Sequence, residues 1–459
     1  RGAELGEGAA RSNKKVSWLS LFIEKVPFFA LAFAASVATV VAQRAGGAVR
    51  TVADVPYGLR ILNSLTAYAH YAGKAIWPAH LSIYYLLPAE VPVAPAICAA
   101  LVMLGVSYLA FRWRASCPWF IIGWLWFVGM LVPVIGLVQV GSQAMADRYT
   151  YVPLIGLFIA AMWSLDRALG AGQTGRIFGV GLATVSLLAC VMLTRSQLGH
   201  WRNSVSLFQH AVEVTPDNYF AEYELGTALA NAGRNEEAIT HHTTALRINP
   251  LYEPAHYHIG LELAEAGKLD DAVFHFSEAL KRDPGSEELH NNLGVIFAQQ
   301  NKLDPAIAEF KQAIQINPSY SRPYLNYALA LQRLGQAGAA LTNFAKAREL
   351  DPASPLVMMR LAYFLATCPD PQWRNPAAAV QLAETANEFT QRQSPPYLAT
   401  LATANAAAGN YSNAIVFAEL ARTKAQEQHL QDWVKKIETD LALYRLGQNP
   451  PANWQQPQP

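Results

Sequence analysis

The chain has 459 residues, of which 52% are hydrophobic and 15% are charged, so it exceeds the usual length of one domain. Residues 1–199 hold 15 Lys and Arg against 7 Asp and Glu, a net charge of +8, whereas the remainder holds 20 against 27, a net charge of −7. An apolar, positive first part and an acidic second part indicate a membrane part followed by a water-soluble part. The acidic part argues against nucleic acid as a partner, because nucleic-acid-binding domains carry a basic footprint.

The first part is predicted to be a polar lead-in, 1–17, and a membrane domain, 18–199. The chain opens on Arg1 without a signal peptide, so we expect it to begin part-way through a longer protein. Five stretches are long and apolar enough to span a bilayer, which takes roughly 17–25 helical residues. These stretches are 26–43, 91–111, 115–146, 149–165 and 177–194. The third is longer than a bilayer requires, so part of it tilts or leaves the membrane.

Residues 57–77 are predicted to form an amphipathic helix, because polar and apolar residues alternate at three- and four-residue steps. Its polar side comprises Arg60, Asn63, Ser64, Ala67, His70, Tyr71 and Lys74. Such a helix lies in the membrane interface or lines a polar cavity. Three of its basic residues, Arg60, His70 and Lys74, are candidates for binding a lipid phosphate. The alternative is that these side chains merely extend toward the membrane surface.

A second polar cluster, residues 145–153, lies at the junction of two apolar stretches. Arg148 suits a lipid phosphate because the guanidinium group can make bidentate contacts, and Asp147 and Tyr149 flank it. The alternative is an ordinary ion pair beside aromatic residues, which are common at the membrane interface. The distribution of basic residues between loops leans toward an extracytoplasmic position for this cluster and for everything after residue 199.

A 34-residue period organises the second part of the chain. It is marked by five prolines, namely Pro216, Pro250, Pro284, Pro318 and Pro352. This period is typical of tetratricopeptide repeats, whose helix–turn–helix units stack into one continuous core. We predict an array over 204–352, with full units that start at residues 219, 253, 287 and 321. A divergent unit and a capping helix follow over 353–447, and the Pro- and Gln-rich tail 448–459 is predicted to be disordered.

The first helix of each unit lines the concave face in such arrays, and one position on it is a candidate for binding a peptide. This position is occupied in successive units by Glu224, His258, Asn292 and Asn326. Asparagine amides can hold an extended peptide backbone through hydrogen bonds, although asparagine is also simply common at this position. His256 and His290 fall where a packing aromatic belongs, and the histidines of the second helices lack metal-site partners. No metal site is therefore predicted in the array.

The order of the motifs resembles one family. The sequence EKVPFF at 24–29 is followed by WP at 77–78, by ADRYTYVP at 146–153 and by the fused repeat array. This arrangement is similar to the C-terminal part of the transmembrane and tetratricopeptide-repeat O-mannosyltransferases and their bacterial relatives. The similarity covers nearly the whole chain, and the order of the membrane motifs is more specific than the repeats.

The resemblance implies a type C glycosyltransferase fold and a polyprenyl-phosphate-linked sugar as the donor, with Arg148 near its phosphate. It implies transfer of the sugar, mannose in that family, to protein Ser or Thr hydroxyls on the extracytoplasmic side. The catalytic acidic residues of the family lie in a first extracytoplasmic loop that this sequence does not contain. Without that loop no base is recognisable for activating a hydroxyl. Whether a divalent metal binds through that loop is left open.

We therefore expect an all-α protein, with a multi-pass transmembrane helical bundle followed by a tetratricopeptide α-solenoid. The expected function is that of the C-terminal portion of a membrane protein O-glycosyltransferase whose array binds the acceptor protein. The expected location is the bacterial cytoplasmic membrane, or the endoplasmic reticulum membrane in a eukaryote, with the array outside the cytoplasm. The alternative is a membrane-anchored scaffold that binds partner proteins and catalyses nothing. A receptor or transporter is disfavoured because the stretches 91–111 and 149–165 carry no ionisable groups except Tyr and Cys.

Overall fold

The computed structural model describes residues 55–451, apart from Val140 and Ala171, and several helical residues between 26 and 42. The predicted lead-in 1–17, most of the predicted span 26–43 and the end of the tail lie outside the described residues. The chain divides into two compact units, Arg1–Leu225 and Gly226–Pro459. Each unit is built almost entirely from α-helices, as the sequence predicts.

Five α-helices precede the repeat array between residues 55 and 203 of the described chain. They are α1 (Tyr57–Ile76), α2 (Val93–Arg112), α3 (Pro118–Leu131), α4 (Tyr151–Leu169) and α5 (Gln173–His200). Within the described residues, three helical segments are long and apolar enough to cross a bilayer. These segments are α2, α5, and α4 together with the 3-10 turn Asp147–Thr150 in front of it. The total of five spans stays a prediction.

The stretch 115–146 forms more than one element. Helix α3 has 14 residues, which is short for a transmembrane helix. The chain then turns and forms a short strand, β2 (Gln143–Met145), which pairs antiparallel with β1 (Tyr85–Leu86). This small sheet is an addition to an otherwise helical fold. Strands of two and three residues are too short to produce an alternating pattern that a sequence could reveal.

Helices α3 and α4 pack closely through two glycines. A Cβ atom built on Gly123 would overlap the main-chain oxygen of Gly156, and a Cβ atom on Gly156 would overlap that of Gly123. Ala160, one turn further along α4, is buried in the same contact. Small residues let the backbones of two helices approach closely, which is how helices commonly pair within membranes.

The repeat array begins in the first unit and fills the second. Its helices are α6 (Ser204–Val214), α7 (Tyr219–Asn231), α8 (Asn235–Ile248), α9 (Glu253–Glu265), α10 (Leu269–Leu280), α11 (Glu287–Gln299), α12 (Leu303–Ile316), α13 (Ser321–Arg333) and α14 (Ala337–Leu350). The first helices of the four full units start at the predicted residues. Each of these helices is followed by a residue with positive φ, namely Gly233, Gly267, Asn301 and Gly335. Glycine and asparagine tolerate this left-handed conformation, which ends a helix and reverses the chain.

The core of the array repeats one contact. Phe276, Phe310 and Phe344 on the second helices are fully buried. Phe276 and Phe310 pack against Gly260 and Gly294 on the first helices, where a Cβ atom would collide with the ring. The first full unit differs, because the buried residue that faces its glycine is His242.

The array ends in divergent elements. Helices α15 (Pro355–Thr367) and α16 (Pro376–Phe389) are joined by a longer connection that contains a 3-10 turn, Pro371–Trp373. They are followed by α17 (Pro395–Ala407), α18 (Tyr411–Glu427) and α19 (Gln431–Arg445). One side of α19 buries Val434, Ile437, Leu441 and Tyr444. The rest of α19 is mostly exposed and polar, as a helix that ends a solenoid requires.

Candidate functional site

Most of the polar side of α1, with the exception of His70, faces the protein. Arg60, Asn63 and Ser64 are buried, whereas Ile61 and Ile76 on the same helix are exposed. This arrangement agrees with a helix that lines a polar interior. On a helix that lies on a lipid surface, lipid would cover the apolar residues and water would cover the polar ones. The helix therefore contributes its polar groups to the inside of the first unit.

These side chains bind main-chain carbonyl groups of an irregular segment. The Asn63 amide donates to the Ala144 carbonyl at 3.0 Å, and the Ser64 hydroxyl donates to the Ile135 carbonyl at 3.1 Å. An irregular segment leaves carbonyls without helical partners, and such groups are costly to bury unless something donates to them. Helix α1 thus determines the path of the chain between α3 and α4.

Tyr71 fixes the residue that precedes the predicted phosphate-binding cluster. Its hydroxyl accepts from the Ala146 N–H at 3.0 Å and donates to the Ala146 carbonyl at 3.2 Å. The side chain of Tyr71 is fully buried. The chain then enters the 3-10 turn, in which the Thr150 hydroxyl donates to the Asp147 carbonyl at 2.6 Å.

The Asp147 carboxylate forms a cluster with Lys74 and Tyr85, which we call the Asp147 cluster. The Tyr85 hydroxyl donates to Asp147 Oδ2 at 2.7 Å, and Lys74 Nζ lies 3.6 Å from Asp147 Oδ1 and donates to the Tyr85 hydroxyl. Lys74 also donates to the His80 carbonyl at 3.1 Å. Burial lowers the pKa of Lys74, and the nearby carboxylate of Asp147 acts in the opposite direction. Burial raises the pKa of Tyr85, and Asp147 adds to that effect.

Arg148 differs from Lys74 because its side chain is exposed. Its guanidinium carbon lies 5.2 Å from the centre of the Tyr149 ring, and it donates to Gln143 Oε1 at 3.3 Å. The Gln143 amide in turn donates to the Tyr149 hydroxyl at 2.7 Å. Gln143 belongs to β2, so the short sheet supports the residues that hold the guanidinium. The exposed charge is therefore attached to an ordered scaffold.

The structure brings together four of the six residues predicted for phosphate binding. They are Asp147, Arg148, Tyr149 and Lys74. His70 is exposed one turn before Lys74 on α1. Arg60 is separate, since it lies 14 residues before Lys74, about 21 Å along a helix that rises 1.5 Å per residue, and its Nε donates to the Val55 carbonyl at 2.9 Å.

Sequence reasoning missed the contributions of Tyr85 and Gln143 to this site. Tyr85 lies 62 residues before its carboxylate partner Asp147, and no periodic pattern connects the two residues. Gln143 falls inside the apolar stretch 115–146 that the sequence assigns to a span. The pairing of β1 with β2 brings these two residues to the cluster, and that pairing leaves no signal in the sequence.

In the array, the predicted asparagines belong to a row of hydrogen bonds that crosses three first helices. The Asn326 amide donates to Asn291 Oδ1 at 2.9 Å, and the Asn291 amide donates to Asn292 Oδ1 at 3.3 Å. The Asn292 amide donates to the Tyr257 hydroxyl at 3.4 Å, and that hydroxyl donates to Glu288 Oε1 at 2.8 Å. The row holds the amide groups in fixed orientations.

Asn292 also lines a shallow cleft of about 200 Å³ between α9 and α11. The other lining residues are Leu261, Ala264, Glu265, Phe276, Val295, Ile296 and Gln299. The cleft combines apolar walls with a few polar groups, which is the usual composition of a binding groove. Its size suits one side chain of a peptide.

The two other predicted array residues are half-buried. The ring of His258 lies 5.4 Å from the rings of Tyr257 and His242, measured between centroids, and burial lowers its pKa. Glu224 lies on α7 within the first unit, and burial raises the pKa of its carboxyl group. Both occupy the position on their helices that Asn292 occupies on α11.

The remaining histidines have structural contacts. His256 Nε2 lies 3.2 Å from the Pro250 carbonyl, and His290 Nε2 lies 3.3 Å from the Pro284 carbonyl. These contacts tie each first helix to the proline that precedes it. Within the described residues, no group of three or more His, Cys, Asp and Glu side chains could hold a metal ion.

The comparisons with known proteins agree with the repeat array and with the family resemblance. A family model for the tetratricopeptide repeat matches residues 193–253 and 257–321. The chain is 30% identical over 129 residues to protein O-mannosyl-transferase TMTC1 of Mus musculus, covering 28% of this chain and 14% of that protein. The chain carries tetratricopeptide repeats and resembles the protein O-mannosyl-transferases. The resemblance predicted from the sequence motifs is thereby confirmed.

Two further proteins illustrate the extent of the similarity. Protein O-mannosyl-transferase TMTC1 of Homo sapiens is 26% identical over 155 residues, which cover 34% of this chain and 18% of that protein. The matched region therefore spans less than a fifth of either curated relative. A solved tetratricopeptide repeat protein from Parabacteroides merdae is 17% identical with a TM-score of 0.42, covering 51% of this chain and 92% of that one.

Proposed function

We propose that the chain is the C-terminal portion of a membrane protein O-glycosyltransferase. It transfers a sugar, mannose by analogy with its relatives, from a polyprenyl-phosphate carrier to Ser or Thr hydroxyls of an acceptor protein. The observation that carries the proposal is the exposed guanidinium of Arg148, which is held beside Tyr149 at the start of an apolar helix. An arginine at the end of a membrane helix is well suited to a lipid phosphate.

The roles of the neighbouring charges follow from their contacts. A carboxylate repels a phosphate, so we assign Asp147 to holding Lys74 and Tyr85 in place. The ammonium of Lys74 is occupied by these partners and its charge is balanced by Asp147, so the phosphate contact is assigned to Arg148. The start of α4 adds the partial positive charge of a helix N-terminus. Arg60 is not assigned to the phosphate, because it is buried and donates to Val55.

The array supplies the acceptor site in this proposal. Asn292 and Asn326 would bind the backbone of an extended acceptor segment, and the cleft beside Asn292 would take one of its side chains. Their amides are already oriented by Asn291 and Tyr257, which reduces the entropy lost on binding. His258 would extend the same face, and Glu224 would serve the equivalent role at its own position in the first unit. The Asp147 cluster and the array would both lie outside the cytoplasm.

Replacing the arginine tests the proposal. Arg148→Ala in the full-length protein should reduce sugar transfer from a polyprenyl-phosphate donor by about 100-fold, because a charge-assisted phosphate contact contributes a few kcal/mol. Arg148→Lys should retain part of the activity. Arg176→Ala, which removes an exposed arginine near the start of α5, is the matched control. Unchanged transfer by Arg148→Ala would exclude the assigned role.

The second candidate is a membrane-anchored scaffold without catalytic activity. It is supported by the tetratricopeptide repeats and by the cleft beside Asn292, which suit the binding of a partner protein without any reaction. The same preparation discriminates the two candidates. The wild-type full-length protein is supplied with the sugar donor, divalent cations and an acceptor protein. If it binds the acceptor but transfers no sugar, the scaffold is supported.

A further inference from the structure

One short segment of the first unit contacts both the Asp147 cluster and the beginning of the repeat array. This segment, residues 80–86, is called the junction strap below. It follows α1 and ends in β1, so its far end is paired with β2. Tyr85 inserts into the Asp147 cluster, where its hydroxyl donates to the Asp147 carboxylate.

The opposite side of the strap lies on the first array helices. The ring of Tyr84 packs on the ring of Phe220 with 4.3 Å between centroids. The Tyr84 carbonyl accepts from the Asn218 amide at 3.2 Å, and the Leu81 carbonyl lies 3.1 Å from His210 Nε2. Tyr84 and Tyr85 are neighbours in an extended chain, so their side chains point to opposite sides.

The strap is held in a defined shape. The Ser82 N–H donates to the Tyr85 hydroxyl at 2.7 Å, and the Tyr84 hydroxyl lies 2.7 Å from Ser142 Oγ. His80, at its start, has a positive φ of 54°, a conformation that non-glycine residues seldom adopt without support. These contacts make the strap a rigid connector between its two sides.

The array residues that contact the strap are also held by hydrogen bonds and ring stacking. Asn218 is 2% exposed, and its Oδ1 accepts from the Ala221 N–H at 3.1 Å, which caps the start of α7. The same side chain therefore starts the first full repeat and binds the strap. The ring of His210 on α6 also stacks on His200, the last residue of α5, with 3.7 Å between centroids.

We propose that the junction strap seats the beginning of the array on the Asp147 cluster, and that Tyr84, His210 and Asn218 are positioning residues for the acceptor protein. This inference rests on the proposed function. The strap, α6 and the start of α7 belong to the same compact unit, so the strap determines where the first array helices begin beside the Asp147 cluster. A tethered reactant benefits from a high effective concentration only when the tether holds it near the reacting group.

Removing the Tyr84 ring tests this role, because its effect can be compared between a folded acceptor protein and a short acceptor peptide. In the full-length protein, Tyr84→Ala should raise the KM for a folded acceptor protein about tenfold, since the effective concentration falls when the connection loosens. The kcat for a short Ser/Thr peptide that is too small to engage the array should not change. Tyr84→Phe, which keeps the ring contact and loses only the hydroxyl contact with Ser142, should raise this KM much less than Tyr84→Ala. Phe274→Ala removes an exposed aromatic ring elsewhere in the array and is the control.

Hydrogen exchange supplies a readout that does not depend on activity. Tyr84→Ala should increase exchange in residues 80–86 and also in residues 218–225, and leave residues 287–316 unchanged. An increase confined to 80–86 would overturn the docking. An unchanged KM for the folded acceptor, when the wild type transfers sugar, would overturn the positioning role. Absence of transfer by the wild type would instead overturn the proposed function, and exchange would still decide whether the strap docks.

Discussion

Buried side chains are stabilised differently in the interior of the first unit and in the core of the array. Around α1, buried polar residues such as Asn63 and Tyr71 donate to main-chain carbonyls of an irregular segment. In the array, a phenylalanine ring packs against a glycine, and the contact recurs in each of the units that keep this pair. The first arrangement depends on single hydrogen bonds that nothing else in the described chain duplicates. The second depends on apolar area and close packing.

The comparison implies different responses to mutation. Removing a ring from the array should cost the most free energy, but the cost should stay near one unit, because each unit contacts only its neighbours. Removing a hydroxyl from α1 should cost less free energy and should displace the residues that carry the candidate site. The next two predictions test this difference, and a third, with the smallest expected effect, tests the junction strap.

Phe310→Ala should lower the free energy of unfolding of the array by about 3–5 kcal/mol, because a fully buried ring is replaced by a cavity. Chemical denaturation of the intact protein, followed by the helical circular dichroism signal, measures the effect. Phe274→Ala, at an exposed position in the same array, should cost less than about 1 kcal/mol. Equal losses in the two variants would mean that the Phe–Gly contact is not the main source of stability.

Tyr71→Phe should destabilise the first unit by about 1–3 kcal/mol, because it leaves the buried N–H and carbonyl of Ala146 without their hydroxyl partner. The volume of the side chain hardly changes, so the effect reports the hydrogen bonds. Sugar transfer should fall together with stability, since Ala146 precedes Asp147 and Arg148. Tyr108→Phe, on the exposed side of α2, is the matched control. Normal transfer and stability in Tyr71→Phe would show that the path of this segment is fixed by other contacts.

Acidification should loosen the junction strap. Burial lowers the pKa of His210, and the neighbouring His200 and His80 add to this effect, whereas the Leu81 carbonyl and Glu213 oppose it. A lowered pKa means that the docked state favours neutral histidine, so its stabilising contribution is present at neutral pH and is lost as pH falls below about 6.5. Exchange of residues 80–86 should therefore increase between pH 7.5 and pH 5.5. His210→Gln, which keeps a donor for the carbonyl, should abolish this pH dependence.

The two regions also differ in how far the sequence could predict them. The 34-residue period placed the starts of α7, α9, α11 and α13 correctly, because each unit repeats the same local signals. The sequence also predicted that Asp147, Arg148 and Tyr149 lie close together, since these residues are adjacent in the chain. The sequence did not predict that Tyr85 and Gln143 complete the site. Both residues reach the site through the pairing of β1 with β2. This contact does not repeat along the chain, so it produces no periodic signal in the sequence.

Helix α1 is an intermediate case. The spacing of Arg60, Asn63, Ser64 and Lys74 correctly separated a polar side from an apolar side. It could not tell which side faces the protein, because in a membrane both lipid and protein can cover apolar residues. The structure places the polar side inward, where it meets irregular main chain. The positions of Lys74 and Asp147 in one cluster follow from that orientation.

The buried His242 has a consequence for the order of the repeats. Its Nδ1 lies 3.0 Å from Glu262 Oε1, and Glu262 occupies the position that Ile296 holds in the next unit. If residues 253–286 were deleted, the 34-residue register would be kept, but His242 would face an isoleucine. The units are therefore not interchangeable modules. This contact makes α8 and α9 a matched pair of neighbours, so removing or exchanging either helix alone would leave a buried polar side chain facing an apolar one.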